Sequence, residues 1–389
     1  MHKPVYLDNH ATTPVDPRVL DRMLPFFGAR FGNAASRSHC FGWEAEKAVE
    51  FARKRVAGLA GAAPREIVFT SGATESNNLA IKGVAEAARA AGIARRSIVT
   101  LATEHRAVLD PARRLERIGY RVQILPVGRD GLLDLDLLRD SIQLDTLLVS
   151  VMYANNEIGV IQPVREIGGL CRERGVLFHC DAAQAFGKIP IDVERDAIDL
   201  MSLSAHKMYG PKGVGALYVR QRNPRVKLAP ELDGGGHEFG MRSGTLNVPG
   251  IVGFGEACAL CAGEMENEAA SLRDLRDRLK ARLESELAPV VVNGSMERRL
   301  PGNLNMCFVG VSGAALLTSL PDVALSTGSA CTSAKAEPSH VLRALGLDEE
   351  HAQSSLRFGL GRFNTAEEID FAAGRVTEAV RKLRALAPV

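Results

Sequence analysis

Ser204-Ala205-His206-Lys207 closes the apolar run from Ile198 to Leu203 and leads into Met208-Tyr209-Gly210-Pro211-Lys212-Gly213. The run reads as a buried strand, and the turn after it, rich in Gly and Pro, holds a lysine where its amine can meet a carbonyl. A Schiff-base lysine needs that placement, because packing and a neighbouring cation leave the amine nucleophilic near neutral pH. The plain alternative is a solvated surface lysine, the usual state of this residue. Residues elsewhere in the chain have to decide between the two.

Outward from this segment the chain alternates. Glu66 to Thr70, Ser97 to Ala102, Arg121 to Leu125, Thr146 to Met152, Leu177 to Cys180, Leu200 to Leu203 and Gly215 to Val219 read as short strands, with helical runs between most of them. From about Asp16 to Glu264 this pattern predicts an α/β fold with a mostly parallel seven-stranded sheet wrapped by helices. Ile251 to Leu287 has helical periodicity and predicts a helix or helix pair leading out of that unit. Val290 to Asn293, Asn303 to Phe308 and Val323 to Ser326 read as further strands, with helices over Pro338 to Leu345 and Thr365 to Leu386. The expected division is a large domain over 16–264 and a smaller α+β domain formed by 265–389 with 1–15 packed onto it.

A chain of 389 residues agrees with two such units. Its 48 Lys and Arg nearly cancel its 46 Asp and Glu, and the signs are interspersed, so no footprint for direct nucleic-acid binding is expected. Met1-His2-Lys3-Pro4-Val5-Tyr6-Leu7-Asp8 has no apolar core of signal-peptide length, and no membrane span is expected; the predicted compartment is the cytoplasm. The seven cysteines show no disulfide framework. Cys258 and Cys261 form a C-x-x-C pair, but their small-residue surroundings read as a packed helix, and Cys171, Cys180 and Cys307 look equally structural.

Four features carry chemistry. Gly72-Ala73-Thr74-Glu75-Ser76-Asn77 follows a strand and opens a helix, a geometry that serves a phosphate or an ordinary cap by Ser71 or Thr74 equally well. Asp181 stands at a strand's C-terminal end, where ligands of open α/β sheets collect and where a helix cap is also common. A lysine, a carboxylate for a pyridine nitrogen and a phosphate cradle together form the parts list for pyridoxal 5'-phosphate. Thr103-Glu104-His105 ends another strand, so His105 is a stacking or acid–base residue for the same crevice, or a satisfied histidine at its edge. Finally, Cys331 sits alone in the polar, small-residue stretch Ser326-Thr327-Gly328-Ser329-Ala330-Cys331-Thr332-Ser333-Ala334-Lys335, where a thiol is accessible as a nucleophile.

With these residues in view, the chain resembles the pyridoxal-phosphate-dependent cysteine desulfurases of the IscS/NifS type, within the class V aminotransferases of fold type I. The resemblance runs in order through Tyr6-Leu7-Asp8-Asn9, Ala11-Thr12-Thr13-Pro14, Phe31 to Ser36, Thr70 to Ser76, Thr103-Glu104-His105, Asn155 to Gly159, Ser204 to Gly215, Arg242-Ser243-Gly244-Thr245 and Gly328-Ser329-Ala330-Cys331. Single motifs are shared with other class V enzymes; the full set, with Pro338-Ser339-His340-Val341-Leu342 after the cysteine, is specific to desulfurases.

What the resemblance implies is concrete. Lys207 holds the cofactor, Asp181 pairs with its ring nitrogen, His105 stacks on the ring and Gln184 contacts its phenolic oxygen. Ala73, Thr74, Ser204 and His206 bind the phosphate, joined by Thr245 from the other subunit of a homodimer. Asn156 and Arg357 hold the carboxylate of L-cysteine, the guanidinium fork being suited to that work. L-Cysteine displaces Lys207, Lys207 or His105 moves protons, and the Cys331 thiolate takes the sulfur as a persulfide, leaving alanine. A stretch over about 326–337 carries the persulfide to an iron–sulfur scaffold protein or a tRNA-thiolation relay, with Cys331 a transient cluster ligand shared with the scaffold. Many bacterial relatives continue past the position of Val389 into a tail that helps hold the scaffold. His10 falls where relatives vary among polar residues and receives no role. The rival readings are a selenocysteine lyase, an aminotransferase of the same fold and a non-catalytic scaffold protein.

Overall fold

The computed structural model describes residues 3–327 and 339–386. Among the described residues twelve strands follow one another: β1 (Val5–Tyr6), β2 (Ile67–Thr70), β3 (Ser97–Leu101), β4 (Arg121–Leu125), β5 (Thr146–Ser150), β6 (Leu177–Asp181), β7 (Leu200–Ser204), β8 (Gly215–Val219), β9 (Val290–Val292), β10 (Asn303–Phe308), β11 (Val323–Ala324) and β12 (Ser355–Gly359). Seven of them form the predicted sheet in the order β2-β8-β7-β6-β5-β3-β4. All neighbours are parallel except β8, which runs antiparallel to both β2 and β7.

The sheet is buried on both faces, as parallel sheets require. Val99, Val149, Phe178, Met201 and Ala216 point into one apolar core, while Ile98, Leu148, Leu200 and Leu217 point into the other, so adjacent residues of one strand serve opposite sides. The β4 edge carries Arg121 and Gln123 and is partly exposed, a composition that discourages further strand pairing.

Register explains how distant motifs meet. Thr70 pairs with Gly215, and Gly215 pairs with Ser204, so three strands present these residues in one row. The turn leaving Thr70 therefore lies beside the turn leaving Ser204. A Cβ at Gly215 would stand 2.4 Å from the Leu203 carbonyl oxygen and 2.6 Å from Gly72 Cα, a closeness only glycine permits. Because β2 has the same direction as β7, the C-terminal ends of β2, β3, β5, β6 and β7 all open on the same edge.

The second unit has its own core, filled by Leu7, Leu304, Met306, Phe308, Leu356, Phe358, Ile369, Val376 and others. Its three-stranded antiparallel sheet has the order β12-β10-β9, while β11 leaves that sheet and pairs in parallel with β1. Strand β12 goes unrecognised in the sequence, where Ser355-Leu356-Arg357-Phe358-Gly359 attracts notice only for its arginine; every residue of it is buried. Val248–Leu287 is one unbroken helix of 40 residues. Its first half packs Ile251, Phe254, Ala257, Cys258 and Cys261 into the large unit, and its second half packs Leu272, Leu279, Leu283 and Leu287 into the small one. By length and composition alone this helix could cross a membrane, contrary to the expectation that no run approaches that size, but half of its most apolar window is buried in the protein. It is a core helix shared by two units.

Candidate active site

One cavity of about 830 Å³ lies where the strand ends converge. Ala73, Thr74, His105, Asn156, Asp181, Gln184, Ser204, His206, Lys207 and Arg357 all line it, although up to 284 positions separate them in sequence. Thr245 is exposed and does not line the cavity of its own chain. Cys331 and most of the stretch around it lie outside the described residues.

The lysine turn is tightly built. Ala205–Lys207 forms one turn of 3₁₀ helix after β7, and Tyr209 then adopts a left-handed φ of 63°, a conformation rare for a bulky residue. Thr13 holds it there: the Tyr209 N–H donates to Thr13 Oγ1 at 2.8 Å, and Thr13 Oγ1 donates to the His206 carbonyl at 3.1 Å. Lys207 Nζ donates to the carbonyls of His10 and Ala11 at 2.6 and 2.7 Å.

Opposite the lysine, the Ala73–Ala90 helix begins at Gly72 with no side-chain cap, so neither Ser71 nor Thr74 takes the capping role considered for them. Gly72, Ala73 and Thr74 line the cavity, and the unpaired N–H groups of a helix start suit an anion. Glu75 would oppose an anion there, but Arg242 Nε donates to its carboxylate at 2.7 Å and the Ser71 N–H at 2.8 Å. Although burial pushes the Glu75 carboxyl up, these donors hold it below the usual range and neutralise its charge locally. His206 bonds Thr12 Oγ1 through Nδ1 at 3.0 Å; burial, then the Lys207 charge, lowers it to about 4, so it is a neutral imidazole at pH 7.

Asp181 ends β6 and accepts two hydrogen bonds, from Asn77 Nδ2 at 2.7 Å and from the Ala183 N–H at 3.0 Å. These aim the carboxylate into the cavity. His105 caps the Arg106–Glu116 helix, its Nδ1 accepting from the Ala107 N–H at 3.1 Å, which assigns the ring hydrogen to Nε2. Burial pushes this imidazole down while Asp181 pulls the other way. Next to it, burial pushes the fully buried Glu104 carboxyl well up, while the Met152 N–H, donating to it at 2.7 Å, acts the other way.

Arg357 projects from β12 into the far side of the cavity. It donates to Asp8 Oδ1 at 2.7 Å and to the Asn156 carbonyl at 2.9 Å, while its Nε is buried without a partner. A buried guanidinium whose Nε–H has no partner suits a further anionic oxygen. Arg357→Lys removes the fork and is expected to raise KM for an amino-acid carboxylate by about 10- to 100-fold, with a smaller change in kcat, since hydrogen bonds to charged groups contribute about 1.5–3 kcal/mol; steady-state kinetics reads this split.

The sequence reading overlooks several contributors. Asn77 ends the stretch Gly72-Ala73-Thr74-Glu75-Ser76-Asn77, yet only the fold brings it to Asp181. Asp8 lies in Tyr6-Leu7-Asp8-Asn9, and only the approach of β12 gives it Arg357. His10, assigned no role, is buried on the cavity wall, with Nδ1 3.0 Å from Gln184 Oε1. Ser339 Oγ donates to Glu157 Oε2 at 2.5 Å, and both line the cavity. The cysteines are quieter: among the described residues all six are free thiols, and burial pushes Cys261 up to about 12, so the C-x-x-C pair is inert packing.

Comparison with known proteins agrees with this geometry. The family model for aminotransferase class-V matches residues 5–371. The chain is 59% identical over 389 residues to the cysteine desulfurase IscS of Anaeromyxobacter dehalogenans, covering all of this chain and 95% of that one. Among solved structures, a NifS-like protein superposes with a TM-score of 0.90 at 38% identity, covering 97% of this chain and all of the other. A protein solved as SspA in complex with cysteine gives a TM-score of 0.81 at 37% identity, covering 93% of this chain and all of that one. The lysine turn, the uncapped helix, the strand-end carboxylate and these matches over the full chain lead to one assignment: the chain belongs to the aminotransferase class-V family and stands there among the cysteine desulfurases.

Proposed function

We propose that Lys207, Asp181, Arg357 and Cys331 carry the extraction of sulfur from L-cysteine, releasing alanine and leaving the sulfur as a persulfide on Cys331. The protein is a cysteine desulfurase, and pyridoxal 5'-phosphate is its cofactor. The convergence of ten expected residues on one cavity carries the reading, and a relative solved with cysteine supports the substrate.

The residues fit that cofactor. The uncapped helix start at Ala73 and Thr74, with Ser204 and His206, would receive its phosphate; Asp181, oriented by Asn77, would receive its ring nitrogen; His105 and Gln184 would flank the ring. When bound, pyridoxal phosphate supplies the electron sink that weakens the substrate's C–S bond. The chain does the rest. Arg357 and the neighbouring Asn156 hold the substrate carboxylate. Lys207 first anchors the cofactor, then, once displaced by the substrate amine, moves a proton at the substrate carbon, with His105 as the second group in reach of the cavity. The Cys331 thiolate attacks the substrate sulfur, the S–S bond forms as the C–S bond breaks, and the electron pair stays on carbon, where a proton completes alanine.

Thr245 stands exposed and away from its own cavity, which favours its use by a second subunit in a homodimer. The small domain is taken as 1–15 with 265–389 against a large domain of 16–264, on the separate apolar cores. Free thiols among the described residues favour a reducing compartment, hence the cytoplasm. The persulfide goes to an iron–sulfur scaffold protein and other sulfur acceptors, Cys331 acting as a transient ligand of the cluster being built; a tRNA-thiolation relay is a further acceptor.

The test is stoichiometry. With L-cysteine, a reductant and no 2-oxo acid, alanine and sulfide form in equal amounts. A requirement for a 2-oxo acid makes the protein an aminotransferase, and alanine without Cys331-dependent sulfur release favours a lyase.

A further inference from the structure

Two lysines share one hydrogen-bonded frame behind the cavity. The His10 carbonyl accepts from Lys207 Nζ at 2.6 Å and from Gln184 Nε2 at 2.9 Å. At the other end of the same amide, Gln184 Oε1 accepts from Lys188 Nζ at 3.2 Å and meets His10 Nδ1 at 3.0 Å. The amide of Gln184 thus has one orientation: its oxygen receives an ammonium and an imidazole N–H, and its nitrogen donates to a carbonyl. A flip would set an NH₂ group against the ammonium. Because His10 Nδ1 carries the hydrogen, Nε2 is a lone pair, and it is buried without a partner.

Lys188 lies on the far side of this frame from the cavity, with Tyr209 and Glu268 around the same small void. The charged and titratable groups that face it are Lys207, His206 and Tyr209 from the turn after β7, Arg357 from β12, Glu268 and Cys261 from the Val248–Leu287 helix, and His10 from the N-terminal segment. Arg357 is paired with Asp8 and Glu268 with Arg362, so across the frame the two ammonium groups act on each other where water is scarce. Burial, and next the charge on Lys207, brings Lys188 down to about 7, with Glu268 acting in the opposite direction. Burial also pushes His10 well down, with the Lys188 charge as the next cause, so that imidazole stays neutral.

We infer that Lys188 is a positioning residue for the reaction: through Gln184 and the His10 carbonyl it orients the frame on which Lys207 rests, and its charge disfavours a proton on the nitrogen of Lys207. The inference rests on Lys207 being the cofactor lysine. The influence is reciprocal. Whenever the Lys207 nitrogen gives up its charge, Lys188 becomes the better proton holder, and whenever it regains one, Lys188 loses that advantage. The two nitrogens therefore titrate as a coupled pair, each easing protonation of the other when it loses its own charge.

The holoenzyme tests this through its colour. The visible absorbance of the lysine-linked cofactor changes as the linking nitrogen loses its proton, so a pH titration reads that nitrogen directly. Removing a nearby cation favours the protonated form, and Lys188→Met and Lys188→Gln are expected to raise the midpoint by about one pH unit, the size of a single charge effect at this range. Lys188→Arg, which keeps a cation, stays at or below the wild-type midpoint. Borohydride reduction followed by peptide mass analysis, run on every variant, places the cofactor. A tag on Lys207 with unchanged midpoints in the Met or Gln variant overturns the role of Lys188 alone, as does an equal upward shift in the Arg variant. A tag on another residue overturns the reading of Lys207 itself.

Discussion

Lys207→Ala protein is expected to release alanine from L-cysteine at least about a thousandfold more slowly than wild type, and to lose the borohydride-fixable colour. The size follows from the number of tasks that meet on one nitrogen. On the proposed reading Lys207 anchors the cofactor covalently, is displaced by the substrate amine, and then moves the proton at the substrate carbon; general acid–base transfer alone typically contributes about 10²–10⁴ in rate. No neighbour can substitute. Lys188 is held behind Gln184, and Lys212, although on the same turn, stands exposed, whereas Lys207 Nζ is held by the carbonyls of His10 and Ala11. Amino-acid analysis of the products measures the rate, and mass analysis after borohydride measures the link. Activity within tenfold of wild type would falsify the assignment of this lysine.

The second large effect separates sulfur transfer from cofactor chemistry. In Cys331→Ala, L-cysteine still binds and still perturbs the colour, because Arg357, Asp181 and Lys207 are untouched. Sulfide release in the presence of a reductant falls at least about a hundredfold, since a thiolate nucleophile has been removed and the small polar neighbours offer no replacement. The described residues on either side favour this role. The Arg357 N–H donates to the Ser326 carbonyl at 2.7 Å, and Ser339 is tied to Glu157, so the chain enters and leaves the 328–338 segment beside the cavity. If the variant retains sulfide release while losing colour, cofactor binding and sulfur transfer have been assigned to the wrong residues.

Much of this site is legible in the sequence for a simple reason. Thr74, His105, Asp181 and Lys207 each follow a short apolar run, and in a sheet of mostly parallel strands the residues after such runs collect on one edge. The seven-stranded sheet and its order of strands and helices are readable from the same alternation. What escapes is whatever depends on pairings between distant segments. Strand β12 escapes as a strand because its alternation is only five residues long, and a polar face of Ser355 and Arg357 reads as solvated although the fold buries it too. His10 and Asp8 acquire meaning only when β1 pairs with β11 and draws the N-terminal segment between the two units. Asn77 and Lys188 are ordinary-looking polar residues whose partners, Asp181 and Gln184, are set by the tertiary fold or by a run of turns without periodicity. The helix cap at Gly72 shows the same limit from the other side, because sequence leaves cap and anion site equivalent and only the absence of a side-chain cap separates them.

The most direct measurement is the mass of the Cys331 peptide after the holoenzyme has met L-cysteine without a reductant. The account predicts a gain of one sulfur atom on Cys331, removed by dithiothreitol and absent in Lys207→Ala. Alanine formed at the wild-type rate with Cys331 unmodified, or the extra sulfur found on another cysteine, contradicts it.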